Sequence, residues 1–184
     1  MLTAERILKK ISDGSLVIDP FDEKRLNPNS YNIRLDNKLK VYRSGYVLAD
    51  GVRVRIGPLD MRKENPTKEI IIPENGLKLE PGELYLGTSM EYTETHDLIP
   101  CIDGRSSIGR LGLNVHATAG FGDIGFCGKW TLEISCIRPI IIYPYIEIGQ
   151  IYYFEPDGEI IKSYKGKYQG QDDVVASRMH VDLT

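Results

Sequence analysis

From residue 28 onward the chain is a succession of short segments in which apolar and polar residues alternate, each ended within a few residues by Pro, Gly or Asn. Tyr31-Asn32-Ile33-Arg34-Leu35, Lys38-Leu39-Lys40-Val41-Tyr42 and Val52-Arg53-Val54-Arg55-Ile56 carry this period of two. Ile70–Ile72, Gly76–Leu79, Glu83–Leu86, Trp130–Cys136, Ile140–Tyr143 and Gln150–Phe154 continue it, and Pro73, Asn75-Gly76 and Pro81-Gly82 supply breaks. A two-residue period places alternate side chains on opposite faces of a strand, which an amphipathic helix cannot satisfy. Many short strands at close spacing predict a mainly β fold: a sandwich, a jelly roll or a distorted barrel. One amphipathic helix precedes them. Thr3 stands at its N-cap, Ala4, Ile7, Leu8 and Ile11 share a face, and Gly14 ends it. Leu16-Val17-Ile18 then reads as a strand.

The 184 residues suffice for one well-buried domain, taken as 1–184. A formal charge of −3 without a basic arm argues against extended nucleic-acid binding but not against a small phosphorylated ligand. No apolar run reaches membrane-spanning length, and no basic segment followed by an apolar core opens the chain, so a cytoplasmic location is expected. Cys101, Cys127 and Cys136 form no Cys-x-x-Cys pair. His96, His116 and His180 complete no recognised metal-ligand spacing with them, so the thiols are read as core residues. The polar segment from about 160 to 184 reads as a mobile loop or solvated tail.

Chemistry concentrates in one stretch. Gly104-Arg105-Ser106-Ser107-Ile108-Gly109-Arg110 offers hydroxyls, backbone amides and guanidinium forks to phosphate oxygens, although it lacks the Gly-Lys-Ser/Thr ending of a P-loop. Read alone, such a turn is a capped surface turn more often than a phosphate cradle. Glu133 lies in the apolar strand Trp130-Thr131-Leu132-Glu133-Ile134, where a core-facing carboxylate is costly unless paired or used for proton transfer. The other reading is a strand face open to solvent. Asp123, between Gly122 and Gly125, either closes a turn or accepts from a sugar hydroxyl. His116 is either a base or a structural residue.

Taken together and in order, these motifs resemble the deoxycytidine triphosphate (dCTP) deaminase family. The resemblance rests on Gly104–Arg110, His116-Ala117-Thr118-Ala119-Gly120-Phe121, Asp123, Gly125-Phe126, Gly128 and Thr131-Leu132-Glu133. Pro28–Leu35, Pro81-Gly82-Glu83, Leu86-Gly87-Thr88, Lys167–Gln171 and Ser177-Arg178 extend it nearly end to end. It implies the distorted jelly-roll or β-barrel fold shared with trimeric dUTP diphosphatase, a homotrimer with sites between subunits, and a C-terminal segment that closes over each site. Ala119–Gly128 is similar to the diphosphatase's sugar- and base-binding hairpin, with Phe126 beneath the deoxyribose, where it would disfavour a 2′-hydroxyl. The diphosphatase's glycine-rich, Arg-containing tail motif is missing.

The implied mechanism uses no zinc, since the His-x-Glu and Pro-Cys-x-x-Cys signature of zinc deaminases is absent. Glu133 would take a proton from the water that attacks C4 of cytosine and pass protons to N3 and the departing amine. Ser106, Ser107 and the backbone at Ala119 would position that water, and Arg110 would support Glu133 and the developing charge. Asp123 would bind the 3′-hydroxyl, and Thr131 and Leu132 would present backbone groups to the base. Arg105, Ser106, Lys167 and Gln171 would hold the triphosphate, with Mg²⁺ bound through the nucleotide and by no protein side chain. Gly122, Ile124 and Asn32 depart from the commoner Ile, Pro and Asp, and the short Tyr164–Lys167 connection leaves a phosphate role for Tyr164 open. The leading expectation is hydrolysis of dCTP to dUTP and ammonia, with dTTP as a further candidate inhibitor. The alternatives are a bifunctional enzyme that goes on to dUMP and diphosphate, and a deoxynucleotide-binding regulator without turnover.

Overall fold

Among the described residues twelve strands form the framework, and their pairing follows from the alternation just described. The computed structural model describes residues 1–43, 46–49, 52–55 and 57–183, with 46–49 and 52–55 described by backbone alone. Helix α1 (Ala4–Ser12) buries Ile7 and packs Ile11 on the core, and Gly14 ends it in the left-handed region. Thr3 occupies the N-cap as expected, but its hydroxyl makes no capping bond; its carbonyl accepts from the Ile7 amide instead.

The strands are β1 (Leu16–Asp19), β2 (Tyr31–Tyr42), β3 (Tyr46–Ala49), β4 (Val52–Arg55), β5 (Thr67–Ile71) and β6 (Leu77–Leu79). They continue as β7 (Tyr85–Thr95), β8 (Ile99–Gly104), β9 (Leu113–Asn114), β10 (Cys127–Cys136), β11 (Ile140–Ile142) and β12 (Glu147–Phe154). A short helix, α2 (Ser106–Gly109), separates β8 from β9. The main sheet runs β8-β12-β2-β7-β10-β9, with β1 added on β7 and β5 on β2, and it curls into a distorted barrel. β6 pairs β11, and β3 pairs β4. The mainly β expectation holds. Ile56, placed at the end of a strand from the sequence, lies outside the described residues. The two alternating segments at 31–35 and 38–42 are one strand, whose register against β7 shifts between Leu35 and Leu39.

β7 is the central strand and its polar residues are buried: Thr88, Ser89, Glu91, Thr93 and Thr95 are all nearly inaccessible. Each of three is accounted for by a partner. Ser89 Oγ accepts the Trp130 amide at 2.8 Å, where the β7–β10 register shifts between Lys129 and Thr131, and Thr93 Oγ1 accepts the Trp130 indole N–H. Glu91 is fully buried and takes both the Arg34 amide at 2.8 Å and Arg34 Nε at 2.7 Å. Removing one partner from such a pair leaves a charge in a poorly solvated site, which costs about 3–5 kcal/mol. Arg34→Met is therefore expected to lower the unfolding free energy by about that amount in a denaturant titration. A loss below about 1 kcal/mol, the scale of an exposed ion pair, would show that the charge of Glu91 is accommodated some other way.

Candidate functional site

The bulge at Trp130 lies in β10 beside a cavity that the strand's half-exposed face helps to line. On β10 the buried side chains are Trp130, Leu132, Ile134 and Cys136, while Cys127, Lys129, Thr131, Glu133 and Ser135 lie on the half-exposed face. Of the two readings of Glu133, the core-facing one fails and the strand face open to solvent is the one observed. Glu133 looks into this cavity, of about 420 Å³. Its Oε2 accepts the amides of Ala117 and Thr118, each at 3.2 Å. Two N–H groups from one turn fix the position of that carboxylate oxygen.

The same cavity is lined by Ala119, Asp123, Phe126, Thr131 and Gln171, so six of the expected substrate-contacting residues, Glu133 included, converge there. Ala119 adopts φ +54°, and His116 Nε2 lies 2.9 Å from its carbonyl. A carbonyl only accepts, so Nε2 carries the proton and donates, bracing the strained turn. His116 here is a structural brace. Asp123 is exposed at the rim, and the turn that carries it is closed by its backbone carbonyl accepting from Phe126. Phe126 is buried on the floor, with ring centroids 4.7 Å from Trp130 and 5.8 Å from Tyr164. The unusual Gly122 has its reason in this packing: a Cβ there would lie 2.3 Å from the Trp130 ring.

Leu132 is fully buried and points into the core, pairing with Gly87 of β7; only its backbone could serve a ligand. Lys167 does not line the Glu133 cavity. It pairs with Asp182 and lies in an adjoining groove with Lys40, Arg178 and His180. Arg105, Ser106, Ser107 and Arg110 are also elsewhere. They sit on and beside α2, between β8 and β9, and none of them lines the Glu133 cavity. Arg105 is tied to β12 through Glu147, with Nη1 at 2.9 Å from its carbonyl and 3.1 Å from Oε2, whereas Ser106, Ser107 and Arg110 are exposed. The expected contact of Arg110 with Glu133 is not made within one chain.

The polar C-terminal segment is docked rather than solvated. Gly170 N donates to Cys127 O at 2.8 Å, Lys129 N to Gln171 O at 2.8 Å, and Val175 N to Thr131 Oγ1 at 3.3 Å. Gln171 Nε2 donates to Lys129 O at 2.7 Å, and Val174 is buried. Gly128 makes this approach possible: at φ +149°, a Cβ would lie 2.8 Å from the Gln171 carbonyl oxygen. Through this docking Tyr164, Tyr168, Val175 and Ser177 join the cavity wall, with Tyr42 from β2. Tyr168 and Ser177 belong to the C-terminal motifs of the resemblance, but Tyr42 and Val175 were not singled out in the sequence, because only the fold lays residues 164–177 across β10 and β2.

Among the described residues no helix is long and apolar enough to cross a membrane. The family model described as dCTP deaminase-like matches residues 1–156. The chain is 50% identical over 183 residues to "dCTP deaminase, dUMP-forming" of Hathewaya histolytica, covering 100% of this chain and 99% of the relative. It is 52% identical over 170 residues to the protein of that name in Cytophaga hutchinsonii, covering 92% and 91%. Among solved structures, 2′-deoxycytidine 5′-triphosphate deaminase from Agrobacterium tumefaciens is similar with a TM-score of 0.59 at 23% identity. That likeness covers 83% of this chain and 47% of the Agrobacterium chain, and it speaks for the fold. With a family match over most of its length and full-length relatives half identical to it, the chain belongs to the dCTP deaminase-like family.

Proposed function

We propose that this protein hydrolyses dCTP to dUMP, ammonia and diphosphate, consuming two waters and using no zinc for the chemistry. The observation that carries the reading is the Glu133 carboxylate, fixed by two amides at the wall of a cavity that also presents Thr131, Asp123 and an aromatic floor. Glu133 takes a proton from the water that attacks C4, then returns protons to N3 and to the leaving amine. Thr131 and the backbone of Leu132 meet the base edge, Asp123 accepts from the 3′-hydroxyl, and Phe126 lies beneath the sugar. Gln171 and Lys167 reach the phosphates from the docked tail.

Mg²⁺ fits this site as a companion of the nucleotide. Among the described residues the carboxylates that line the cavity are Asp123 and Glu133, on separate elements and each with its own task. That leaves no carboxylate cage and favours coordination through phosphate oxygens. When bound, the ion neutralises phosphate charge.

The exposed Arg105–Arg110 cluster completes the site from a second copy of the chain in a homotrimer. Its Ser106 and Ser107 position the attacking water, Arg105 meets phosphate, and Arg110 stabilises the charge that develops at Glu133 and C4. Support lies in the exposure of Ser106, Ser107 and Arg110 and in their absence from the wall of the Glu133 cavity within one chain.

The choice of dUMP over dUTP as product follows the names of the full-length relatives. Incubation of purified protein with dCTP and Mg²⁺, with nucleotides resolved by ion exchange, is expected to give dUMP and diphosphate in step with ammonia. Accumulation of dUTP without dUMP would overturn the second hydrolysis and leave deamination standing.

A further inference from the structure

The three cysteines and three histidines show no metal-ligand spacing along the chain, yet the β7–β10 register brings one of each together. Cys127 lies directly opposite Glu94 in the antiparallel pair, and His96 is two residues beyond Glu94. The ligand atoms of Glu94, His96 and Cys127 all lie within 4.8 Å of one another. None of the three lines the nucleotide cavity.

We propose that Glu94, His96 and Cys127 form a binding site for a thiophilic divalent cation of the zinc class. The donor set is one thiolate, one imidazole and one carboxylate, the mixture that zinc accepts in a tetrahedral arrangement with a fourth position left to water. Bonds of about 2.0–2.3 Å would place tetrahedral ligand atoms roughly 3.3–3.8 Å apart. Rotation of an exposed imidazole and two half-exposed side chains covers the difference without moving the strands. The carboxylate is already oriented, since Tyr92 Oη donates to Glu94 Oε2 at 2.8 Å while Oε1 faces His96 Nε2 at 2.9 Å. A hydrogen-bonded ligand carboxylate is the usual support for such sites. The cross-strand pairing of Glu94 on β7 with Cys127 on β10 supplies rigidity, and His96 follows one residue past the end of β7, so the folded sheet, not the local sequence, builds the site.

The test uses the full-length protein after chelator treatment, titrated with Co²⁺ and then challenged with Zn²⁺. One Co²⁺ per chain should bind with a thiolate-to-cobalt charge-transfer band, and Zn²⁺ should displace it. Cys127→Ser is expected to remove the band, and both Cys127→Ser and His96→Ala should weaken Zn²⁺ binding by about tenfold or more. Cys101→Ser and Cys136→Ser should leave the band in place. Because His96 is exposed, its replacement reports on binding without endangering the fold. Absence of the band in the wild-type protein, or its persistence in Cys127→Ser, would overturn the proposal. Neither result bears on nucleotide hydrolysis, which is read separately.

Discussion

Glu133→Gln is expected to slow ammonia release by about 10²–10⁴-fold, the usual contribution of a positioned proton carrier, while leaving nucleotide affinity nearly unchanged. Glutamine keeps the size and reach of the side chain, and its carbonyl oxygen still accepts from the Ala117 and Thr118 amides. What it loses is the capacity to take a proton from water and return it to the leaving amine. Single-turnover ammonia release and calorimetric binding of dCTP, measured on the same preparation, separate these effects. An unchanged rate would remove Glu133 from the chemistry. A lost affinity with a proportionate loss of rate would make it a binding residue. Retained affinity without turnover is the result that the wild-type protein would itself show if it were a regulator, so the wild-type rate decides between enzyme and regulator.

The strand framework was legible because period-two alternation marks a half-buried strand face directly, and nearly every alternating segment from Tyr31 to Phe154 became a strand. β7 was legible only at its apolar start. Its continuation through Glu91 and Thr93 is polar and nevertheless buried, with Arg34, Trp130 and neighbouring hydroxyls as partners. Such satisfaction is tertiary and leaves no hydrophobic period to read. For Glu133 the sequence left two faces open. The apolar residues around it suggested burial, whereas the register places Trp130, Leu132 and Ile134 inward and gives Glu133 to the cavity. Cys127 and His96 illustrate the opposite loss: cysteine-to-histidine spacing in sequence says nothing when a cross-strand contact, not a turn, joins them. The C-terminal docking depended on Gly128 admitting the chain at Gln171, a steric allowance that a single glycine in a strand does not announce.

Mixing two inactive variants should restore activity. Arg110→Ala is expected to lose about 10²–10³-fold in deamination rate if its guanidinium stabilises the developing charge. Because Arg110 is exposed on its own chain, stability should change by no more than about 0.5 kcal/mol. Glu133→Gln supplies the complementary defect. If each site takes Glu133 from one chain and Arg110 from its neighbour, denaturing and reassembling the two variants in equal amounts creates intact sites wherever an Arg110→Ala chain donates Glu133 to a Glu133→Gln chain's arginine. Random cyclic assembly makes about a quarter of the sites of this kind, so about a quarter of the wild-type rate should return. Unmixed controls reassembled in parallel should stay inactive. A mixture as inactive as its components would place both residues in one chain, and Arg110 would then have to swing in from α2, outside the cavity wall. The barrel makes that movement costly: Arg105 is bonded to Glu147 on β12, and the Ile137 amide is bonded to the Gly112 carbonyl just after α2. Shifting α2 toward Glu133 would break the connections on both sides, whereas a neighbouring copy reaches the carboxylate with every bond in place.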